Sequence, residues 1–283
     1  MSLGILTNVA ATYAENNLNQ TQGSLQTVLQ QLSSGSRINS GADDAAGLSV
    51  ADGLHANEAA LTQSAQNAQN GVGLLQTADG ALSQVTNLLD RAVTLATEAA
   101  NGGLTAAQST AADTEFQSIV KEIGNIGSTT NFNSTNVFSA AATNFVVSDG
   151  TAGGTTTVAA TTGALTNASI GTATGGGAGI DLSAAVLTSA AAATTALGNI
   201  TSAIADVANQ RGAIGANINQ LNAAAGVASS EEVNLSSAES AIRSTNYGQA
   251  TSDLAKFQVL SQTGISALAQ ANSVQQEILK LLQ

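Results

Sequence analysis

Apolar residues recur at every third or fourth position along most of the chain, the spacing of helices that bury one face. The first such run covers about residues 3–33, and its opposite side is rich in Asn and Gln. The longest run starts at Leu61 and stops at Asn101–Gly103, which predicts a helix roughly 60 Å long. Between these two runs, the Ser-, Gly- and Asn-rich stretch 33–50 predicts a turn. A third helix is predicted over 105–128.

The helical period disappears in the middle of the chain, between Asn131 and Gly179. Here the pattern predicts two short strands around a glycine-containing turn, a β-hairpin at about 143–161. The Gly- and Thr-rich segment that follows, 162–180, is predicted to be a loop of low complexity. Helical spacing returns near Asp181 and persists to the C-terminus.

One apolar seam in the C-terminal half contains a single charged residue, Arg211. The positions of the seam are Leu197, Ile200, Ile204, Val207, Arg211, Ile214, Ile218 and Leu221. An unpaired guanidinium is costly to bury, so we expect a packed stem and a head that reaches a carboxylate at the edge of the seam. Asp79 or Asp90 on the long helix could supply it, or another copy of the chain could. Two interpretations stay open: Arg211 sets the register of packed helices, or it is an ordinary solvated residue.

Helical seams at both ends and a non-helical centre predict a hairpin-like molecule. The N- and C-terminal helices would lie side by side, and the centre would form the far tip. A rod of this kind leaves apolar area uncovered when it is alone, which predicts assembly.

The composition favours long helices and excludes several classes of function. The chain has no proline, which breaks helices, and no cysteine, so disulfides, thiolate metal sites and cysteine nucleophiles are excluded. A net charge of -12 excludes a basic nucleic-acid footprint and disfavours an anionic membrane surface. No window has the length and apolar character of a membrane span, and the N-terminus lacks the pattern of a Sec signal peptide.

Candidate catalytic and metal-binding residues are few. His55 is the only histidine; with Asp52 and Glu58 at helical spacing it could start a metal site, but an exposed helix residue is the simpler interpretation. The adjacent Asp43 and Asp44 follow a Ser-Gly turn and fit the charge preference of a helix start better than a catalytic pair. We therefore predict no enzyme, no catalytic residues, no metal and no cofactor.

Five stretches, in collinear order, resemble the sequence signatures of bacterial flagellin. They are LQQLSSGSRINSGADDAAGLSVADGL (29–54), NAQNGVGLLQTADGALSQVTNLLDRAVTLATEAANG (67–102), EFQSIVKEIGNIGSTTNFNSTNVF (115–138), VANQRGAIGANINQL (207–221) and ISALAQANSVQQEILKLL (265–282). Only 139–196 is unmatched in detail.

The resemblance implies a fold as well. Flagellins build a terminal coiled-coil domain from both chain ends and add a helical rod domain with a β-hairpin. Here the terminal domain would be 1–42 with 239–283, and the rod domain would be 43–238. The stretch between Phe138 and Asp181 has room for the hairpin only, so no large outer domain is expected. The predicted fold class is thus mainly α: long antiparallel helices that form a terminal coiled coil and a helical rod domain with a small β-hairpin.

The resemblance also implies that the terminal helices carry the interface between subunits. The residues expected at this interface are Leu3, Leu6, Leu18, Leu25, Val28, Leu32, Arg37, Leu254, Phe257, Leu260, Leu268, Ile278, Leu279 and Leu282. Flagellins leave the cell unfolded through the flagellar type III channel, without signal cleavage. The expected partners are further copies of the chain, an export chaperone, the filament cap and the hook-associated proteins, and the expected location is extracellular.

A receptor contact is a further implication of the resemblance. Arg91, Leu95 and Glu115 match positions through which members of the family engage Toll-like receptor 5. However, Val93 and Thr94 stand where many recognised flagellins carry a basic and an acidic residue. Receptor contacts and ordinary rod-surface residues therefore both remain open for these positions.

The predicted function is that of a structural subunit that polymerises into the bacterial flagellar filament. The alternative is a hook–filament junction protein, which has related terminal helices but is not the bulk polymer. The stretch ANQRGAIGANINQL (208–221) favours the filament subunit.

Overall fold

The structure is a computed structural model that describes residues 8–149, 156–173 and 177–281. Its helices are α1 (Val9–Ser34), α2 (Ala45–Ala100), α3 (Ala106–Thr129), α4 (Ala190–Arg243) and α5 (Tyr247–Leu281). Its strands are β1 (Asn131–Phe132), β2 (Thr135–Asn136), β3 (Thr143–Val146), β4 (Thr157–Ala160), β5 (Ile170–Ala173) and β6 (Gly177–Ile180). Consecutive strands pair antiparallel, β1 with β2, β3 with β4 and β5 with β6. The mainly helical fold class is confirmed. Among the described residues, no helix is both long enough and apolar enough to cross a membrane.

Two compact units make up the chain. We call 1–56 with 234–283 the terminal unit, and 57–233 the central unit. The division into a terminal domain of 1–42 with 239–283 and a rod domain remains a prediction.

In the terminal unit, α1 and α5 run antiparallel. The side chain of Asn8 caps α1 by accepting a hydrogen bond from the Ala11 N–H at 3.0 Å, and its Nδ2 donates to the Ala271 carbonyl at 3.0 Å. Further along, α5 has Gly264 opposite Leu18, where a Cβ would lie 3.3 Å from Leu18 Cδ1. The small residue therefore lets the two helices approach closely at this level.

The residues that follow α1 form hydrogen bonds with the end of α4 and the short segment before α5. Gly35 ends the helix in the left-handed conformation, with φ of 72°, and its carbonyl accepts from the Thr245 N–H at 3.0 Å. Next to it, the Arg37 N–H donates to the Arg243 carbonyl at 2.6 Å, and Arg37 Nη2 donates to the Ile242 carbonyl at 2.9 Å. These backbone contacts satisfy polar groups that two helix ends would otherwise leave unpaired.

Helix α2 begins much earlier than its apolar run predicted. The prediction of a turn through residue 50 is wrong, because the helix starts at Ala45. Asp44 Oδ1 accepts a hydrogen bond from the Gly47 N–H at 2.8 Å, the geometry of a helix N-cap. Glycines in the first turns weakened the apolar pattern, and the cap supplies the start signal instead.

The core of the central unit lies among α2, α3 and α4. Its largest fully buried side chains on these helices are Leu75, Leu82, Leu89, Phe116, Ile123, Ile200, Ile214 and Leu221. On each helix they lie seven or fourteen residues apart, which is one or two full heptads of the predicted three-four pattern. The three stripes pack against one another, and this contact accounts for the persistence of the apolar pattern.

The hairpin of β3 and β4 confirms the predicted strand pair, while the predicted turn between them lies outside the described residues. It is anchored on α2, where Gly71 leaves room for Phe145: a Cβ there would lie 3.0 Å from Phe145 Cγ. The absence of a side chain at Gly71 thus allows the sheet to reach the helix backbone.

The prediction of a loop over 162–180 is wrong where β5 and β6 pair as a further hairpin. Its Gly171 has a φ of 78°, and a Cβ at this residue would come within 2.5 Å of the Val207 backbone N on α4. The strands are therefore held by a close approach to a helix. Because the strands depend on this tertiary contact, their Gly-rich sequence lacks the alternation of apolar and polar residues that would predict a strand.

Candidate assembly surface

One row of apolar side chains lies between α1 and α5. We call it the inner row, and it consists of Leu18, Leu25, Val28, Leu32, Leu254, Phe257 and Leu268. Val28 is buried, and the other six are half-buried. Two helices alone cannot enclose a stripe of this size, so the pairing of α1 with α5 covers the row only in part.

A second set of large apolar side chains on the same helices is exposed to solvent at several positions around α1 and α5; we call this set the outer row. This outer row consists of Val9, Tyr13, Leu29, Val259, Leu260, Ile265 and Val274, with 43% to 69% of each side chain exposed. Of the residues predicted at the subunit interface, Leu260 belongs to it. Sequence reasoning did not single out Val259 and Val274, although the two-heptad interval from Leu260 to Val274 was a usable signal.

Several predicted interface residues lie outside what the structure describes. Leu3, Leu6 and Leu282 fall beyond the described ranges, and the side chains of Ile278 and Leu279 are likewise outside the description. Arg37 is exposed, but its guanidinium already binds the backbone at the end of α4. Among the described residues, the candidate assembly surface consists of the inner and outer rows.

The polar residues of α1 and α5 are mostly uncharged, although α5 carries Asp253, Lys256, Glu277 and Lys280. Helix α1 carries one charged side chain, Glu15, among many Asn, Gln, Ser and Thr. By contrast, the central unit contains 12 of the 19 acidic residues and only 3 of the 7 basic ones. The negative charge of the chain is thus concentrated away from the exposed apolar rows in the sequence.

Arg211 in α4 pairs with Asp79 in α2, one of the two carboxylates predicted on the long helix. Its Nε lies 2.7 Å from Asp79 Oδ1, and its Nη2 donates to Asp79 Oδ2 at 3.3 Å. The neighbours Val207 and Ile214 are fully buried, whereas the Arg211 side chain is 37% exposed. The hydrogen bond with Asp79 raises the pKa of the Arg211 guanidinium, which stays positively charged at any ordinary pH. The arginine sits at the margin of the seam.

Arg91 and Glu115 form an ion pair between α2 and α3. The distance from Arg91 Nε to Glu115 Oε1 is 2.7 Å, and about half of each side chain is exposed. This hydrogen bond lowers the pKa of Glu115 and raises the pKa of Arg91. Leu95 lies in the core and is 3% exposed. Of the three residues considered for receptor contact, only the two charged ones reach the surface.

A charged cluster in the terminal unit joins α2 to α4. Arg243 Nη1 lies 3.1 Å from Glu239 Oε1 and 3.8 Å from Asp52 Oδ1. His55 Nδ1 lies 3.6 Å from Glu239 Oε2, and the His55 side chain is 69% exposed. Sequence reasoning had placed His55 on an exposed helix face but gave no sign of Glu239, because the two are far apart in sequence.

Two family models match the chain at the two ends where its terminal helices lie. The bacterial flagellin N-terminal helical region matches residues 5–143, and the bacterial flagellin C-terminal helical region matches residues 197–282. The chain belongs to the bacterial flagellin family.

Relatives within this family align over nearly the whole chain. The similarity to flagellin FlaB2 of Treponema pallidum is 34% identity over 97% of this chain and 98% of the relative. The flagellar filament 33 kDa core protein of Treponema phagedenis gives the same identity and the same coverage. Among solved structures, the crystal structure of Bacillus cereus flagellin matches with a TM-score of 0.47 and 26% identity, over 57% of this chain and 88% of the other.

Proposed function

We propose that this chain is a structural subunit that polymerises into the filament of the bacterial flagellum. The outer row carries the proposal: seven large apolar side chains on α1 and α5 that a single copy leaves in water. Membership of the flagellin family supports the same conclusion. The role is structural, and no step of it requires a cofactor.

Burial of the outer row by neighbouring copies supplies the driving force. Each fully buried Val, Leu or Ile side chain stabilises an assembly by about 1.5–3 kcal/mol. A contact between unlike surfaces of successive copies does not close on itself, so it generates an open helical polymer. The half-covered inner row would be completed in the same step, which couples the ordering of the terminal helices to assembly.

The finer parts of the proposal concern the domains, the export route and the partners. We assign the polymer-forming domain to 1–42 with 239–283 and the rod domain to 43–238. The chain would leave the cell through the flagellar type III channel without loss of a signal peptide, and the filament would be extracellular. An export chaperone, the filament cap and the hook-associated proteins would be its other partners.

A pair of matched variants tests the role of the outer row. Val259 in α5 is 62% exposed, and Val227 in α4 of the central unit is 58% exposed. A substitution at either position should therefore have a similarly small effect on the fold of a single copy. Val259→Asp should prevent seeded polymerisation, seen as loss of long filaments in negative-stain electron microscopy, while Val227→Asp should retain them. Circular dichroism should show the same helix content for both variants before seeding.

The opposite pattern would count against the proposal. Filaments of Val259→Asp that equal the unmodified protein in length and number would show that the outer row is not an assembly surface. If the unmodified protein gives only short rings or stays monomeric when seeded, a junction protein would replace the filament subunit as the better assignment.

A further inference from the structure

The chain contains two Asn-Gly dipeptides, Asn70-Gly71 and Asn101-Gly102, in very different structural settings. Asparagine is a thermolabile residue. Its side-chain amide reacts most readily when the next residue is glycine, because the following backbone nitrogen is then unhindered. The surroundings of each pair decide whether that nitrogen can reach the asparagine side chain.

Asn70-Gly71 is locked in a helix. It lies in the middle of α2, where the backbone is helical and its N–H groups are bonded within the helix. Gly71 is buried, with Leu221 and Phe145 so close that a Cβ would lie 2.9 Å from Leu221 Cδ1. Ring closure at Asn70 would require the peptide unit that follows it to turn out of the helix, against this packing.

Asn101-Gly102 lies immediately after the end of the same helix. Both residues are exposed, and the Asn101 N–H donates a long hydrogen bond to the Glu98 carbonyl at 3.3 Å. Gly102 has a φ of 65°, and a Cβ placed on it would meet no atom within 4 Å. The next capping interaction belongs to Thr105 at the start of α3, so this turn can change its backbone angles without disturbing a core.

We propose that Asn101 is a site of spontaneous deamidation and that Asn70 is protected from the same reaction by the fold. The Gly102 backbone nitrogen attacks Asn101 Cγ and loses its proton to solvent. A bond forms between that nitrogen and Cγ, the bond from Cγ to Nδ2 breaks, and Nδ2 takes up a proton from solvent and leaves as ammonia. Water then opens the resulting succinimide at either carbonyl and leaves aspartate or isoaspartate at position 101.

The product changes the end of α2. A new carboxylate stands at the C-terminal end of a helix, where the carbonyl groups already carry partial negative charge, and one turn from Glu98. In the isoaspartate product the main chain also gains one methylene group in the connection to α3. Modified and unmodified copies would therefore differ in charge and in local backbone path.

Trypsin separates the two sites, which makes the test direct. Cleavage after Arg37, Arg91 and Lys121 yields fragment 38–91 with Asn70 and fragment 92–121 with Asn101 as its only asparagine. The purified full chain is incubated in mildly alkaline buffer, both folded and in guanidinium chloride, and the fragments are followed by mass spectrometry. Fragment spectra locate any change within 38–91, which has other asparagines.

In the folded chain, fragment 92–121 should gain the mass of an NH₂-to-OH exchange over the incubation, while Asn70 stays intact. In denaturant, both sites should react at similar rates. Asn101→Gln should abolish the gain in fragment 92–121. Gly102→Ala should slow it several-fold, because a Cβ hinders the attack and disfavours the left-handed conformation.

Two results would overturn the proposal. The first is a folded chain in which fragment 92–121 remains unchanged while the denatured chain reacts. The second is reaction of Asn70 and Asn101 at equal rates in the folded chain, which would mean that the helix gives no protection.

Discussion

Ser64 in α2 and Ser148 after β3 exchange two hydrogen bonds although 84 positions separate them in sequence. Ser64 Oγ donates to the Ser148 carbonyl at 2.6 Å and accepts from the Ser148 N–H at 3.0 Å. Both residues are buried. One hydroxyl thus satisfies a backbone donor and a backbone acceptor where the hairpin meets the helix.

Ser64→Ala should destabilise the protein by about 1–3 kcal/mol, because it leaves buried backbone groups without this partner. Urea unfolding followed by circular dichroism measures the loss. Ser202→Ala is the matched control, since Ser202 is exposed on α4 and bonds only within its own helix, and a change of at most about 0.5 kcal/mol is expected there. Equal effects of the two variants would contradict the role given to Ser64.

Two glycines of the central unit should respond to alanine with opposite signs. Gly171→Ala places a Cβ against the Val207 backbone at a φ of 78°, so the expected loss exceeds about 1 kcal/mol. Gly212 is exposed on α4 with no atom near its Cβ position, and Gly212→Ala should stabilise by about 0.5–1 kcal/mol. Unfolding midpoints at constant m-value test both, and a stable Gly171→Ala variant would argue against the close docking of β5 on α4.

The ion pair of Arg91 and Glu115 predicts a specific titration. Arg91→Gln removes the hydrogen bond that lowers the pKa of Glu115, so this pKa should rise toward its ordinary value of 4.5. Carboxyl NMR titration measures the change. Asp181 is an internal control, because its lowered pKa comes from hydrogen bonds with Ser183 and should not move.

The sign of the stability effect follows from the direction of this shift. A carboxyl whose pKa is lower in the folded state stabilises above its ordinary pKa and loses that contribution as the pH falls through the folded value. The unmodified protein should therefore lose its advantage over Arg91→Gln only in acid below 4.5, the ordinary value. A constant stability difference between the two proteins across that range would show that the pair contributes nothing through this linkage.

The pair of Arg211 and Asp79 should contribute little to stability. Since 37% and 40% of the two side chains are exposed, a double-mutant cycle with Arg211→Met and Asp79→Asn should give a coupling of about 0.2–1 kcal/mol. If Arg211 sets helix register, Arg211→Met filaments should instead change their supercoil in electron micrographs. Filaments of unchanged shape would show that Arg211 does not set helix register and is an ordinary, partly exposed residue that pairs with Asp79.

Regular periodicity decided what could be predicted from the sequence. The apolar stripes of α2, α3 and α4 are recovered because each helix packs on a continuous core that requires the three-four spacing. The cost of an unpaired guanidinium predicted a carboxylate partner for Arg211, with Asp79, Asp90 and another copy of the chain left open, and the structure shows Asp79. The hairpin of β5 and β6 was missed because it depends on the close approach of Gly171 to α4, and such a contact leaves no pattern in the strand itself. Glu239 was missed beside His55 because only the fold brings these residues together.

The uneven distribution of charge has a consequence for how a filament would respond to its medium. Contacts made by α1 and α5 rest mainly on apolar and amide side chains, which neither protons nor ions of the medium alter much. Contacts made by the acidic central unit work against the repulsion between like charges, which shortens from a reach of about 30 Å at 0.01 M salt to about 8 Å at 0.15 M. A lower pH or a higher salt concentration would therefore change the strength of contacts made by the central unit, while contacts made by α1 and α5 would change little.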